Sequence, residues 1–382
     1  MPVIQFPIYR VYLRKNIIGR KIDTANAVRC LQRSVCACWC MEFYMPSEMT
    51  SREIIRRIIA HNDAPRIGWN FNSEHNDIRY VSTRAYLPDP PNPFSSWGRH
   101  EELLVSSDIY REVFRDRYGN IYGRYNGKTK GECIRGAITE WSDFDKYLMP
   151  AVDPFQRSKL KASGYESCDK FVMTGGASLF SALRDARLMA NALADTLLEP
   201  EMVTAFLDRI VEHELAVLDT FSDCGVDGAM FGDDWGTQSS TFISPETFRK
   251  LFFPQYKRIF DAYHERGISI FMHSCGYIYK FIPLFIESGV DVFQFDQPDA
   301  YPAETLSAEF GSRAVFHSPV DIQKVLPTGD LDFIAARAAE MCAAFSRNKA
   351  WIAKDYPTYN DIGVDPAWAK HAEDVIINLT RI

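Results

Sequence analysis

A chain of 382 residues with 46% hydrophobic and 24% charged residues can fold as one large α/β domain or two ordinary ones, and its composition excludes a disordered or fibrous class. A formal net charge of -7 argues against a nucleic-acid-binding surface or a polybasic membrane patch, and no apolar run approaches the length that spans a bilayer. Nine cysteines without regular spacing make no disulfide framework; they suit free thiols in a reducing compartment, so a cytoplasmic location is expected.

Residues 1–48 differ from the rest. They carry Cys30, Cys36, Cys38 and Cys40 among many basic residues, with no apolar stretch leading to a small-residue cleavage site. The spacing Cys36-x-Cys38-x-Cys40 is not that of a zinc finger. Met49-Thr50-Ser51-Arg52-Glu53 opens an amphipathic helix, with Thr50 or Ser51 as the cap and Ile54, Ile55, Ile58 and Ile59 on one face. We expect Met49 to be the true start, residues 1–48 to be an upstream extension and residues 49–382 to be the folded unit.

The first helix is expected over residues 50–62. Residues 63–100, rich in Pro, Asn, Ser and aromatics, read as irregular structure walling one end of the domain. Turn signals at Tyr118-Gly119-Asn120 and Asn126-Gly127 predict a small antiparallel hairpin within 112–140. From residue 169 a rhythm sets in. Strands are predicted at 170–174, 228–232, 268–272, 291–295, 313–316 and 350–353. Helices lie between them at 182–198, 201–223, from Ser244-Pro245-Glu246 to before Gly267, at 278–288 and at 330–347, with a last one at about 366–380. Strand and helix alternating with short connections signals a parallel α/β fold. Gly175-Gly176 lacks the G-x-G-x-x-G pattern of a dinucleotide-binding open sheet, and several strands end in Asp, His or Cys. A single (β/α)8 TIM barrel, whose strand ends converge on one mouth, accounts for both facts.

Chemistry is therefore sought at strand ends. The run Ile268-Ser269-Ile270-Phe271-Met272 ends in His273-Ser274-Cys275-Gly276. Residues i and i+2 of an extended segment face one side, so His273 and Cys275 can turn toward one metal ion. A third ligand must come from elsewhere; Asp355 and Asp296 are the best-placed candidates, and Cys342 sits within a helix pattern. Asp233 and Asp234 end another strand as candidate catalytic carboxylates. Two adjacent carboxylates rarely both point inward, so one is expected to serve the site and the other the fold. Trp235 and Gln238, with Asp296, are candidate substrate-binding residues. His213, His264 and His371 fall in helices and are expected at the surface.

Five segments together carry a resemblance. These are Met49-Thr50-Ser51-Arg52-Glu53 with Arg66-Ile67, Gly232-Asp233-Asp234-Trp235-Gly236-Thr237-Gln238, Ile243-Ser244-Pro245-Glu246 with Phe253-Pro254, His273-Ser274-Cys275-Gly276, and Asp321-Ile322-Gln323-Lys324-Val325-Leu326-Pro327. In this order they resemble the uroporphyrinogen decarboxylase superfamily over essentially residues 49–382. The resemblance implies a (β/α)8 barrel and one of two activities. One is cofactor-free decarboxylation of uroporphyrinogen acetate groups in porphyrin biosynthesis. The other is zinc-dependent methyl transfer between a corrinoid protein and a thiol or another carrier. The decarboxylases carry an Arg-rich R-Q-A-G-R segment; Arg79-Tyr80 and Thr83-Arg84 are the nearest approach here and do not match it. His273-x-Cys275 matches the first two zinc ligands of the methyltransferases. Their third ligand is a Cys, where this chain reads Ala353-Lys354-Asp355-Tyr356-Pro357, and Asp355 is the expected substitute. No D-x-H-x-x-G corrinoid-binding signature occurs, so a corrinoid is expected on a partner protein. A zinc-dependent methyltransferase is thus the leading expectation. A porphyrinogen decarboxylase and a non-enzymatic tetrapyrrole- or corrinoid-binding barrel are the alternatives.

Overall fold

Thr50 lies in extended backbone and its hydroxyl accepts the Glu53 N–H, which starts α1 (Ser51–Ile59). A computed structural model describes this helix and its surroundings over residues 49–86, 104–107, 112–124, 131–147, 149–345 and 347–381. The expected upstream extension and the later part of the expected irregular wall lie outside the described residues. Ile54, Ile55 and Ile58 bury one face of α1. Its Arg52 and Arg56 reach the Asp227 carboxylate at 2.9 and 2.5 Å, and Arg52 also donates to the carbonyls of Tyr165 and Gly225.

The strands of the main sheet are β1 (Gly68–Asn70) and β2 (Ile78–Tyr80), then, after a separate small sheet, β7 (Phe171–Gly175), β8 (Gly228–Gly232), β9 (Ser269–His273), β10 (Val292–Gln294), β11 (Val315–Ser318) and β12 (Trp351–Lys354). They pair in parallel in the order β1-β12-β11-β10-β9-β8-β7-β2. This is a nearly closed (β/α)8 barrel. At the seam between β1 and β2, Asn70 Nδ2 donates to Tyr80 Oη at 3.0 Å. The acceptors held by α1 directly precede β7 and β8, so α1 covers the N-terminal end of the barrel. The small sheet is β3 (Leu104–Ser107), β4 (Glu112–Arg115), β5 (Ile121–Arg124) and β6 (Glu132–Arg135), antiparallel in that order. It extends the expected hairpin to four strands.

The remaining helices are α2 (Gln156–Ala162), α3 (Phe180–Arg187), α4 (Met189–Leu198), α5 (Pro200–Asp219), α6 (Pro245–Leu251), α7 (Phe253–His264), α8 (Ile282–Ser288), α9 (Ala303–Phe310), α10 (Leu331–Phe345) and α11 (Pro366–Thr380). Three features depart from the sequence reading. The first two barrel strands lie in the stretch expected to be irregular. Each has three residues, too few to display an alternating pattern. The expected 182–198 helix breaks at Leu188, whose φ of 63° takes it out of helical geometry. The helix from Ser244 is two helices, because Pro254 cannot donate a backbone N–H and so falls in the first turn of a new one.

The strand register divides the barrel interior into layers. Phe271, Val292 and Val315 stand side by side, and two residues further along each strand so do His273, Gln294 and His317. Ile352 pairs with Gly68 and Lys354 with Asn70 in the same way. Side chains alternate along a strand, so these sets share the inner face. Toward the carboxyl ends of the strands the inner face becomes polar, with His273, Gln294, His317, Lys354, Asn70 and Tyr80 at the last inward positions. The opposite faces pack on the helices in a continuous core that includes Trp235, Phe248, Phe252, Tyr256, Phe293 and Trp351.

Candidate metal centre

The loops after β8 and β9 are stitched together before any side chain is considered. Asp233 N–H donates to the His273 carbonyl, Gly236 N–H to the Cys275 carbonyl and Tyr277 N–H to the Thr237 carbonyl. Gly236 and Gly276 touch back to back. A Cβ on Gly276 would lie 2.3 Å from the Gly236 oxygen, and its φ of 77° also belongs to glycine. This close approach places Asp234 beside His273 and Cys275. Asp234 Oδ1 accepts the Cys275 N–H at 2.9 Å and lies 3.3 Å from His273 Nε2, while Cys275 Sγ lies 3.5 Å from the same nitrogen.

One nitrogen, one sulfur and one oxygen donor thus fall within 4.8 Å of one another, and all three residues are half-buried. Burial opposes a charge on His273, but the Asp234 carboxylate and the Cys275 thiol outweigh it and hold the imidazole pKa up to about 10. Burial likewise raises Asp234, and hydrogen bonds from His273 and the Cys275 N–H overcome it and bring the carboxyl to about 2. Mixed N, S and O donors at this spacing suit a borderline divalent ion such as zinc. Such an ion would replace the proton that ties the imidazole to its neighbours.

Behind His273 is a second tier. His273 Nδ1 hydrogen-bonds Gln294 Oε1. Gln294 Nε2 donates to Asp296 Oδ1 at 2.7 Å, and that oxygen also takes a 2.8 Å contact from Lys354 Nζ. All three partners are buried. Gln297 Nε2 approaches Cys275 Sγ at 3.8 Å. His317 is fully buried beside Asn70 at 3.0 Å, and its Nδ1 has no hydrogen-bond partner among the described residues. Burial drives its pKa well below the usual histidine value.

The expected site residues separate on this geometry. His273 and Cys275 come together as expected, and the third donor beside them is Asp234 rather than Asp355. The Asp355 carboxylate is committed elsewhere, accepting from Asn72 N–H and Tyr359 Oη, both at 2.7 Å. Its position after β12 aims it at α11 and the loop after β1. Asp296 sits at the mouth but is locked to Lys354, and Cys342 is buried in α10. Asp233 does not face the cluster: it accepts the N–H groups of Leu179, Phe180 and Ser181 at the start of α3 and the Tyr256 hydroxyl. The adjacent carboxylates therefore divide, Asp233 to the fold and Asp234 to the site. Trp235 is a core residue, stacked on Phe180 at 4.3 Å with its Nε1–H on Tyr256, and Gln238 is exposed. The sequence reading missed Gln294 and Lys354. Their signal was a polar residue at the inward-facing end of an otherwise apolar strand.

A cavity of about 660 Å³ lies between the small sheet and the ends of β2 and β7, walled by Tyr86, Tyr118, Tyr122, Tyr147, Arg84 and Asp185 among others. Arg84 is not available for an anionic ligand there, because it clamps the buried Glu214 carboxylate at 2.7 and 2.6 Å.

Comparison with known proteins bears on the family and the fold. The uroporphyrinogen decarboxylase (URO-D) family model matches residues 172–354. A methylated-thiol–coenzyme M methyltransferase of Methanosarcina mazei is 26% identical over 142 residues, which are 37% of this chain and 36% of the relative, so the match spans about a third of that protein's length. The solved structure of a methyltransferase from Methanosarcina mazei superposes with a TM-score of 0.60 at 13% identity, covering 87% of this chain and 99% of the other, a likeness of fold. The match to the uroporphyrinogen decarboxylase (URO-D) family model runs from β7 to β12 and takes in the strand ends that carry the donor cluster.

Proposed function

We propose that this protein is a metal-dependent methyltransferase that moves a methyl group between a corrinoid and a thiol or similar carrier. His273, Cys275 and Asp234 hold zinc at the barrel mouth, and the corrinoid is brought by a separate protein. The observation that carries the reading is the N, S and O donor set gathered within 4.8 Å by two stitched loops. A resident zinc ion supplies Lewis acidity, which favours the thiolate form of an incoming thiol at neutral pH. The chain's own residues build the seat for it. The Cys275 N–H holds Asp234 Oδ1 in place, Gln294 fixes the back of the His273 ring, and the aromatic core around Trp235 stiffens the loop that carries Asp234.

The decarboxylase alternative needs free cations to grip substrate carboxylates. Of the two arginines nearest to the decarboxylases' Arg-rich pattern, Arg84 is held by Glu214, and Arg79 is exposed, lying over the Tyr165 ring at 5.1 Å. Metal analysis of anaerobically purified protein tests the proposal. We expect near-stoichiometric zinc, lost in His273→Ala and in Cys275→Ala, and thiol methylation when methyl-corrinoid and thiols are supplied. Protein that takes up no zinc from zinc-supplemented medium rejects the metal centre and returns attention to tetrapyrrole binding.

A further inference from the structure

We infer that Lys354, Asp296 and Gln294 form a positioning relay that sets which nitrogen of His273 faces the donor cluster. The inference rests on the metal-centre reading above and goes beyond it by assigning work to residues that bind no metal themselves.

The argument runs from donors and acceptors. A lysine ammonium only donates, so Asp296 Oδ1 must accept from Lys354. The same oxygen is 2.7 Å from the Gln294 side chain, which therefore turns its NH2 group toward Asp296. An amide has one oxygen and one nitrogen, so its carbonyl is forced to point the other way, at His273 Nδ1. A carbonyl cannot donate, so Nδ1 must carry the hydrogen. The lone pair for a metal then belongs to Nε2, the atom next to Cys275 Sγ and Asp234 Oδ1.

The relay is anchored by the fold. Gln294 stands beside His273 in the β9/β10 register, and Lys354 ends β12 on the same inner face, two residues beyond Ile352, which pairs with His317. Gln294, Asp296 and Lys354 are each under a tenth exposed, so water does not compete for these bonds. Lys354 also stands beside the strand-end position at which the sequence led us to expect a ligand. The chain has no donor to the cluster there and instead places a cation that orients one from across the barrel.

Cobalt(II) is the probe, because its visible and near-ultraviolet bands report both affinity and thiolate coordination. Gln294→Met keeps the side-chain length and removes the acceptor; we expect Co2+ affinity to fall by about 10- to 100-fold, with an altered spectrum. Gln294→Glu keeps an oxygen facing Nδ1 and is expected to recover most of the loss, which a merely structural role does not explain. Lys354→Met is expected to weaken binding in the same direction. Asp355→Ala, outside the relay, is expected to leave the spectrum unchanged. Urea unfolding midpoints confirm that each variant is folded. Wild-type affinity and spectrum in a folded Gln294→Met protein overturn the relay while leaving the metal centre standing. Failure of the wild-type protein to bind Co2+, or a spectrum indifferent to Cys275→Ala, overturns both.

Discussion

The two ends of the barrel use the same residue types to opposite effect. At the N-terminal end, Asp77 accepts from Ser51 Oγ, from both Arg66 terminal nitrogens and from Trp69 N–H. Asp227 accepts from Arg52, Arg56 and Val172 N–H. Both carboxylates are buried and saturated, and they fasten α1 and the first strand to the sheet. At the carboxyl end, Asp296 and Lys354 are also buried, yet the chain of bonds they begin stops at three half-buried donor atoms gathered on one another, with the Cys275 N–H and Gln297 Nε2 beside them. A buried polar group costs free energy unless it is paired. One end answers that cost completely; the other leaves the half-buried donor set on which the proposed metal centre rests.

This contrast predicts where substitutions act. The largest effect is expected from Asp77→Ala, which strands Arg66 and the Trp69 N–H: a loss of about 3–5 kcal/mol in urea unfolding, with Co2+ binding by the remaining folded fraction unchanged. Equal damage to metal binding and stability would erase the distinction between the ends. Gly276→Ala forces a side chain against the Gly236 carbonyl at positive φ, and a cost of about 1–3 kcal/mol is expected together with weaker metal binding, since the two loops must separate. The neighbours Asp233 and Asp234 sharpen the comparison within one dipeptide. Asp233→Ala removes the cap of α3 and is expected to cost about 2 kcal/mol and to retain zinc. Asp234→Ala is expected to lose zinc with little change in stability. The smallest effect concerns pH. Hydrogen bonding to Asp291 raises the His264 pKa above 6.5 against partial burial. Its contribution is fully present below pH 6.5 and is lost as pH rises through the raised value. The melting temperature of wild type relative to His264→Gln is expected to narrow slightly across that window, and a gap that widens instead contradicts the assignment.

The sequence by itself determined the barrel. The alternation of apolar strand runs with amphipathic helices from Phe171 onward is a local periodic signal, and packing obeys it because every strand must bury both faces. It also marked His273 and Cys275, since their i, i+2 spacing at a strand end is local. Strands β1 and β2 were not legible, because three residues carry no period and their partners are distant, β12 at the far end of the chain and β7 beyond the small sheet. Only the tertiary structure decided the third donor. Asp355 and Asp234 both follow strands and look alike in sequence. The stitching of the β8 and β9 loops at Gly236 and Gly276 delivers Asp234 to His273, while Tyr359 and Asn72 hold Asp355 away. The contacts of Gln294 and Lys354 were decided in the same way. Whether a polar side chain at a strand end meets water, a cap or a histidine depends on which strands close into its layer, a contact made across the barrel that no local spacing encodes.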